Sequence, residues 1–222
     1  MQTITSTSSG FTQTVTLNRP EAKNAFNELM IEELRGVFSS VGDSVRVVAL
    51  TGEGNVFCAG ADVNWMRDSV RRSEDENCKD AARMEAMFRA IDECPAPVIG
   101  RINGSALGGG MGLVACCDIV IAVESAQFAY TEARLGIVPA VISPYSLAKI
   151  GEGAARRYFL TGELFDATRA REIGLVHDVV PQVSLDTAVQ SIAELLAKNG
   201  PNAVRTAKQL IREVVRMDRE RA

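Results

Sequence analysis

The sequence predicts an α/β protein, because segments with strand patterns alternate with segments whose apolar residues have helical spacing. Five runs alternate in polarity or are rich in β-branched residues, and these predicted strands cover Thr12–Leu17, 45–50, Val98–Ile102, 118–123 and 175–180. Amphipathic patterns around Leu34 and Phe88 predict helices between them. Nothing resembling a linker interrupts the apolar segments, so a single domain over residues 1–222 is the simplest organisation.

The last third of the chain is predicted to be mostly helical. Helical spacing covers residues 154–160, 167–173, 185–196 and 203–215. Gly162, Gly174 and the Gly200-Pro201 pair separate these segments, as residues that end helices do. We therefore divide the chain into a core over about 1–150 and a helical region over about 151–222. The dense charge run at 71–77 predicts a solvated loop and the start of a helix.

The charge balance argues against a nucleic acid as the partner. The chain has 28 acidic against 24 basic side chains, a formal net charge of −4 at pH 7. Nucleic-acid binding depends on neutralising phosphates with an excess of cations. A small anion can still bind at a helix N-terminus or at a local cluster of cations.

Cysteine and histidine usage argues against a metal site. The five cysteines form no CxxC pair, and His177 is the only histidine. His177 lies in the strand pattern at 175–180, so we expect a structural role for it. No segment approaches the roughly 20 apolar residues of a membrane span, and the N-terminus lacks a leader pattern. We therefore expect a cytoplasmic protein with neither a metal nor a membrane partner.

A glycine cluster follows the predicted strand at Val98–Ile102. The segment NGSALGGGMG at 103–112 leads into an apolar helical pattern. A glycine-rich turn before a helix points free N–H groups outward, and the helix dipole adds positive partial charge there. The spacing fits neither a dinucleotide-binding turn nor a P-loop. Glycines that only allow close helix packing are an equal alternative.

Two further segments carry candidate chemistry. FCAGAD at 57–62 consists mostly of small residues, which let a ligand approach the backbone. Glu132 follows a strand-like stretch at 127–130 and precedes a glycine and a proline. A carboxylate in this position can act in proton transfer. From the residues alone, a carboxylate that caps a helix N-terminus is the favoured interpretation.

Together these segments resemble the enoyl-CoA hydratase/isomerase (crotonase) superfamily. The resemblance is carried, in chain order, by NRPEAKNAF at 18–26, CAGAD at 58–62, the glycine cluster at 103–112 with CCD at 116–118, and EARLGIVP at 132–139. It extends over nearly the whole chain. It implies a spiral of repeated ββα units with a C-terminal helical region, and assembly as a homotrimer or a dimer of trimers. Within the superfamily, DVNWM at 62–66, VACCD at 114–118 and PAVISPY at 139–145 are similar to bacterial methylglutaconyl-CoA hydratases.

The resemblance also implies where an acyl-CoA thioester binds. Backbone N–H groups of Ala61 and Gly109 would form an oxyanion hole, and Glu132 would be the acid/base group. Coenzyme A enters as part of the substrate, with no tightly bound cofactor. The residues implied to bind the substrate are Ala22, Lys23, Ala25, Ala59, Asp62, Val63, Trp65, Gly108 and Pro139. Lys23 is a candidate for contacting a phosphate, with an ordinary surface lysine as the alternative.

Two features of the superfamily are missing. Two-carboxylate hydratases carry a first glutamate two residues after the glycine triplet, where this sequence has Gly112, and Ala140 replaces a glycine that commonly follows the final proline. Hydration needs a base for water and a proton for the α carbon, whereas isomerisation needs one group that removes and returns a proton. We expect a 2-enoyl-CoA hydratase, with methylglutaconyl-CoA a candidate substrate. A single-glutamate isomerase and a silent acyl-CoA-binding protein are the alternatives.

The acyl pocket is expected near the segments that flank the oxyanion hole. Its candidate residues, each also typical of an ordinary core, are Trp65, Met66, Val138, Val141 and Tyr145. Arg67 or Arg134 is a candidate partner for a distal substrate carboxylate. The sequence ends within a charged helical pattern at 216–221. Members of the superfamily usually continue with another helix, so the resemblance implies a truncated C-terminal region.

Overall fold

The structure, a computed structural model, describes residues 1–216. Its strands are β1 Ile4–Ser9, β2 Thr12–Leu17, β3 Val47–Gly52, β4 Val56–Cys58, β5 Val98–Ile102, β6 Ser105–Leu107, β7 Ile119–Val123, β8 Gln127–Ala129, β9 Phe165–Asp166 and β10 Asp178–Val180. Its helices are α1 Glu28–Ser39, α2 Val63–Ser69, α3 Glu74–Asp92, α4 Gly109–Cys116, α5 Ser143–Thr161, α6 Ala167–Glu172, α7 Leu185–Lys198 and α8 Pro201–Arg216.

The strands form two sheets. The larger sheet has six strands in the order β1-β2-β3-β5-β7-β10, parallel except for the β1–β2 hairpin. The smaller sheet has the order β4-β6-β8-β9, and its first three strands are parallel. The pairs β3–β4, β5–β6 and β7–β8 each contribute one strand to each sheet, and helices connect one pair to the next. This arrangement confirms the predicted α/β class and the spiral of ββα units.

The predicted strands are all present, although their bounds differ in places. β3 starts two residues later than the predicted 45–50 and ends at Gly52. The prediction over 175–180 is wrong at its start, because the N–H groups of Leu175 and Val176 donate to the Ala170 carbonyl at the end of α6. The sequence also missed β1, β4, β6 and β9. Three of these have three residues or fewer, too few to show a period.

Residues predicted to separate the helices do lie at helix ends. Gly162, with φ 61°, ends α5, and Pro201 begins α8. The predicted helix at 154–160 is only the last part of α5, which begins at Ser143 and crosses the division placed at residue 150. That division remains a prediction. From residue 217 onward, the predicted charged helix at 216–221 lies outside the described residues.

The charge run at 71–77 folds as predicted into a loop and a helix start. Ser73 caps α3: its hydroxyl accepts from the Glu76 N–H, and the Glu76 carboxylate accepts from the Ser73 N–H, which makes a capping box. Arg72 is an exception to the solvated surface, because its guanidinium pairs with the buried carboxylate of Asp80.

His177 has the structural role that the sequence predicts. Its Nδ1 accepts a hydrogen bond of 3.0 Å from the Val120 N–H, and burial lowers its pKa. Across residues 1–216 no group of three or more His, Cys, Asp or Glu side chains could hold a metal ion. No helix in the same range is long and apolar enough to span a bilayer.

Candidate active site

The smaller sheet brings three chemically important segments to one edge. The strands β4, β6 and β8 are parallel neighbours, so their carboxyl ends lie side by side. Ala61 follows β4, Gly109 follows β6 and Glu132 follows β8. Side chains and loops at the carboxyl ends of parallel strands commonly form binding sites. Strands β4 and β6 were not predicted, yet their pairing brings the segments that carry Ala61, Gly109 and Glu132 together.

Ala61 and Gly109 present unpaired backbone donors to the same place. Each follows a glycine with a positive φ, 95° at Gly60 and 49° at Gly108. Residues that carry a side chain rarely adopt this backbone conformation. A Cβ on Gly60 would lie 3.1 Å from the Gly109 nitrogen, so the two loops are in contact. Within the described chain, neither the Ala61 nor the Gly109 N–H donates a hydrogen bond, although the neighbouring Gly108 N–H donates to Ala129. The two free N–H groups form a geometry suited to a negative oxygen.

Helix α4 strengthens this donor pair. Gly109 is its first residue, as the sequence predicts, and the first N–H groups of a helix have no partner within the helix. The helix dipole adds positive partial charge at this end. Close packing also contributes, since a Cβ on Gly109 would lie 2.5 Å from the Phe26 ring. Both interpretations of the glycine cluster, close packing and exposed donors, therefore apply.

Glu132 lies beside the donors with its carboxyl group largely buried. It is 8% exposed, and a Cβ on Gly108 would lie 3.6 Å from Glu132 Oε1. Its Oε2 is buried and has no hydrogen-bond partner among residues 1–216. Burial raises the pKa of Glu132 above the ordinary 4.5, and a hydrogen bond from its own backbone N–H offsets part of this rise. A pKa raised in this way is typical of groups that transfer protons.

The helix-capping interpretation of Glu132, which the residues alone favoured, is wrong. Glu132 begins a single 3₁₀ turn, Glu132–Leu135, and the position before that turn is occupied by Thr131 without a side-chain cap. The carboxyl group belongs instead to the wall of a cavity. A local pattern could not show this, because the cavity forms between segments that are distant in sequence.

Gly112 faces apolar side chains, not empty space. A Cβ on Gly112 would overlap Ile142 Cγ2 and lie 2.7 Å from the Phe88 ring. Both neighbours are buried, and Phe88 packs edge-on against Phe26 at a ring distance of 6.2 Å. The position of the missing glutamate is therefore filled, and no carboxylate fits there without repacking.

A cavity of about 480 Å³ is lined by the two donor residues, Ala61 and Gly109, and by Glu132. Its lining includes most of the predicted site residues: Ala59, Ala61, Val63, Trp65, Met66, Gly108, Gly109, Glu132, Arg134, Val138, Pro139 and Val141. Tyr145 and Arg67, two candidates for contacting the acyl group, are not among the described residues that line it. Tyr145 packs against Phe88, with 6.1 Å between the rings, and Arg67 is exposed on α2. Tyr145 thus matches the ordinary-core alternative, and the pairing of Arg67 with a substrate carboxylate stays a prediction.

The remaining predicted residues lie next to the cavity. Ala22, Lys23, Ala25 and Asp62 do not line it, but the backbone joins their two segments: the Ala59 N–H donates to Lys23, and the Phe26 N–H donates to Gly60. Lys23 is exposed, with φ 52°. The 22–25 and 59–63 segments thus form one continuous surface at the edge of the cavity.

Two residues of the NRPEAKNAF signature hold this surface together. Asn24 is fully buried; its side chain accepts from the Arg19 N–H and donates to the carbonyls of Glu53 and Val56. Arg19 pairs with Asp62 at 2.9 Å, and this pairing lowers the pKa of Asp62 against the effect of burial. Asp62 also accepts from the Asn64 N–H at the start of α2. These side chains therefore position the loop that carries the Ala61 donor.

Sequence reasoning missed several residues that line the cavity. On α3 these are Asn77, Asp80, Ala81 and Met84, and elsewhere they include Phe26, Ser69, Thr131, Leu135, Ile137 and Ile142. The α3 residues have the spacing of one helix face, which was a usable signal. The adjoining charge run at 71–77 predicted a solvent-exposed surface instead.

Two donors converging beside a protonatable carboxyl group suit reactions in which an oxygen anion forms next to a carbon that exchanges a proton. The fold and this arrangement together indicate an enzyme with an acid/base group. The chain belongs to the enoyl-CoA hydratase/isomerase family, whose model matches residues 8–222.

Individual relatives are similar over most of their length. The chain is 36% identical over 210 residues to a crotonyl-CoA hydratase of Syntrophomonas wolfei, covering 93% of this chain and 80% of that protein. It is 35% identical over 205 residues to a 2,3-dehydroadipyl-CoA hydratase of Escherichia coli, covering 90% and 77%. A crystal structure of an enoyl-CoA hydratase from Shewanella pealeana matches with a TM-score of 0.93 and 36% identity, covering 99% and 83%.

Proposed function

We propose that this enzyme hydrates 2-enoyl-CoA thioesters, with Ala61 and Gly109 as the oxyanion hole and Glu132 as the acid/base group. The observation that carries the proposal is the convergence on a single cavity of one buried carboxyl group and two N–H donors that have no partner among residues 1–216. Relatives named as hydratases support the same reaction.

In this mechanism one carboxylate performs both proton transfers. Ionised Glu132 removes a proton from a water molecule, whose oxygen forms a bond to the β carbon of the enoyl group. The electron pair of the double bond shifts toward the thioester, and the two N–H groups stabilise the resulting enolate oxygen. Protonated Glu132 then returns its proton to the α carbon, which restores the thioester carbonyl. The raised pKa of Glu132 makes its carboxylate a stronger base for the first transfer, the removal of a proton from water.

Isomerisation of an enoyl-CoA is the second candidate, and the packing at Gly112 favours it. Phe88 and Ile142 occupy the place of a second carboxylate, so the active site has a single acid/base group in this proposal. Glu132 alone can remove a proton from one carbon and return it to another. A silent binding protein is disfavoured, because a scaffold has no need of a buried carboxyl group with a raised pKa.

Ultraviolet absorbance distinguishes the two reactions. We would incubate the enzyme with 2-enoyl-CoA and 3-enoyl-CoA thioesters of matched length. Hydration removes the conjugated chromophore of the 2-enoyl substrate, whereas isomerisation of the 3-enoyl substrate creates it. Loss of absorbance with the first substrate supports the proposal; a change with the second substrate only would assign the isomerase. Methylglutaconyl-CoA belongs in the panel, because the 62–66, 114–118 and 139–145 segments support it as a candidate.

We place coenzyme A on the surface formed by Ala22, Lys23, Ala25 and the 59–63 segment. The exposed ammonium group of Lys23 is the phosphate partner in this proposal. Lys23→Ala should weaken coenzyme A binding by about 5-fold or less, since exposed charge pairs contribute little. Thermal-shift titration with coenzyme A measures this effect, with NAD as a ligand that should not protect the fold. Lys79→Ala, which removes an exposed lysine of α3, is the matched control.

We further propose assembly as a homotrimer or a dimer of trimers. We also propose a core and a helical region divided near residue 150, and a cytoplasmic location. The exposed apolar residues Leu210 and Ile211 of α8 support a contact between subunits. Sedimentation of the purified protein tests the assembly.

A further inference from the structure

The far end of the cavity has a polar wall that the hydration mechanism does not use. Helix α3 lines the cavity with Asn77, Asp80, Ala81 and Met84. The face is apolar at Met84, toward the catalytic end, and polar at Asn77 and Asp80. From Asp80 to Phe88, the residue packed beside Gly112, α3 rises about 12 Å. The polar wall therefore lies well beyond the reacting carbons.

Asp80 is a buried charged group in this wall. It is 8% exposed, and its carboxylate pairs with Arg72 and, at 3.4 Å, with Arg83. Neither arginine lines the cavity. The arginines thus pair with the carboxylate from outside the cavity, while Asp80 itself lines the cavity.

Trp65 supplies an unused donor at the same end. Its indole Nε1 is buried and has no hydrogen-bond partner in the described part of the chain, although Trp65 lines the cavity. The Asn77 side chain donates to the Ser69 carbonyl at 3.0 Å, which ties the last turn of α2 to the first turns of α3. Trp65 is one turn before Ser69, and Asp80 is one turn after Asn77. An unsatisfied buried N–H costs free energy, and a ligand that accepts from it would remove that cost.

We infer that this end of the cavity is a subsite for a hydroxyl group carried on the distal part of the acyl chain. A hydroxyl can accept from Trp65 Nε1 and donate to the Asp80 carboxylate at once. A methyl group leaves Trp65 Nε1 without an acceptor, and a carboxylate meets the charge of Asp80. The inference rests on the proposed 2-enoyl-CoA chemistry and adds a substrate class: medium-length enoyl thioesters with a distal hydroxyl.

The test compares matched 2-enoyl-CoA chains of eight to ten carbons that end in a methyl, a hydroxyl or a carboxylate group. For the wild-type enzyme, kcat/KM for the hydroxyl chain should exceed that for the methyl chain by about 10-fold or more. Trp65→Phe keeps the ring but removes the donor, and Asp80→Asn removes the charge; each should reduce that ratio by about 10-fold. Asp68→Asn, an exposed α2 carboxylate outside the cavity, is the control that should keep the wild-type ratio.

Binding of saturated, unreactive acyl-CoA chains gives a second readout that needs no turnover. The hydroxylated chain should protect the wild-type fold against heat more than the methyl chain does, and Trp65→Phe should abolish the difference. Equal or better use of the methyl chain, the carboxylate chain or methylglutaconyl-CoA by the wild-type enzyme would overturn the inference. Absence of turnover on crotonyl-CoA as well would instead overturn the proposed reaction, so the two failures are distinguishable.

Discussion

Two positions at the catalytic end, Glu132 after β8 and Gly112 on α4, differ in what surrounds them. Glu132 lines the cavity, and its buried Oε2 has no hydrogen-bond partner among the described residues. Gly112 faces packed side chains, because Phe88 and Ile142 leave no room there even for a Cβ. The difference shows that a residue type missing from a motif can reflect repacking of a whole region. It also places all of the proposed proton transfer on one side of the substrate.

The largest expected effect is loss of turnover in Glu132→Gln. The amide keeps the size of the side chain but cannot accept a proton, so kcat should fall by about 10²-fold or more. Coenzyme A affinity should stay close to that of the wild type. Steady-state kinetics with crotonyl-CoA and a branched enoyl-CoA measure this change. Glu124→Gln, at an exposed position after β7, is the control, and near-normal turnover in Glu132→Gln would assign the chemistry to another group.

Removal of the Gly109 donor should have a similar or slightly smaller effect. Gly109→Pro eliminates the N–H, and loss of one oxyanion donor costs about 10²-fold or more in kcat. Any Cβ at this position also meets the Phe26 ring at 2.5 Å, so Gly109→Ala is the necessary comparison. The ratio of kcat between the alanine and proline variants isolates the donor. Equal rates in these two variants, both folded by circular dichroism, would refute the role of this N–H.

From the motif alone, a glutamate introduced at position 112 would be expected to restore a missing carboxylate and raise hydration. The packing around Gly112 predicts a loss of stability instead. Gly112→Glu should destabilise the fold by about 1–3 kcal/mol or more through overpacking, without raising hydration. Gly36→Glu on α1 is the control, since no heavy atom among the described residues lies within 4 Å of a Cβ there. Gly112→Glu combined with Ile142→Ala should recover part of the loss. Chemical unfolding and crotonyl-CoA kinetics measure both properties; a stable single variant with faster hydration would contradict the packing argument.

The smallest expected effect is on the pH dependence of stability. Because burial raises the pKa of Glu132 in the fold, ionisation of this group opposes folding. The wild type therefore loses stability relative to Glu132→Gln as pH rises from 4.5 through the folded pKa, and the difference no longer changes with pH below 4.5. Thermal unfolding of both proteins between pH 4 and pH 8 tests this sign. A constant difference across the range would mean that Glu132 has its ordinary pKa.

Prediction from sequence succeeded where a long segment lies on one side of the core. Strand β2 and helix α1 show a period because one face of each is buried, whereas β5 and β7 are buried along nearly their whole length and show mainly apolar runs. The candidate donors and Glu132 were also named in advance, through motifs that resemble a known family. Their positions at neighbouring strand ends could not be inferred in the same way, since β4 and β6 are too short to show a pattern.

The sequence by itself determined the α/β class, the exclusion of a Rossmann or P-loop turn, and the glycines that free the backbone near the two donors. Tertiary structure alone decided that Phe88 and Ile142 fill the space at Gly112, and that Trp65 and Asp80 border one cavity with Glu132. The physical reason is the separation along the sequence over which each kind of interaction acts. Periodicity and turn chemistry act between residues a few positions apart, whereas the neighbours of a side chain in a packed interior come from distant segments and are selected by volume and shape.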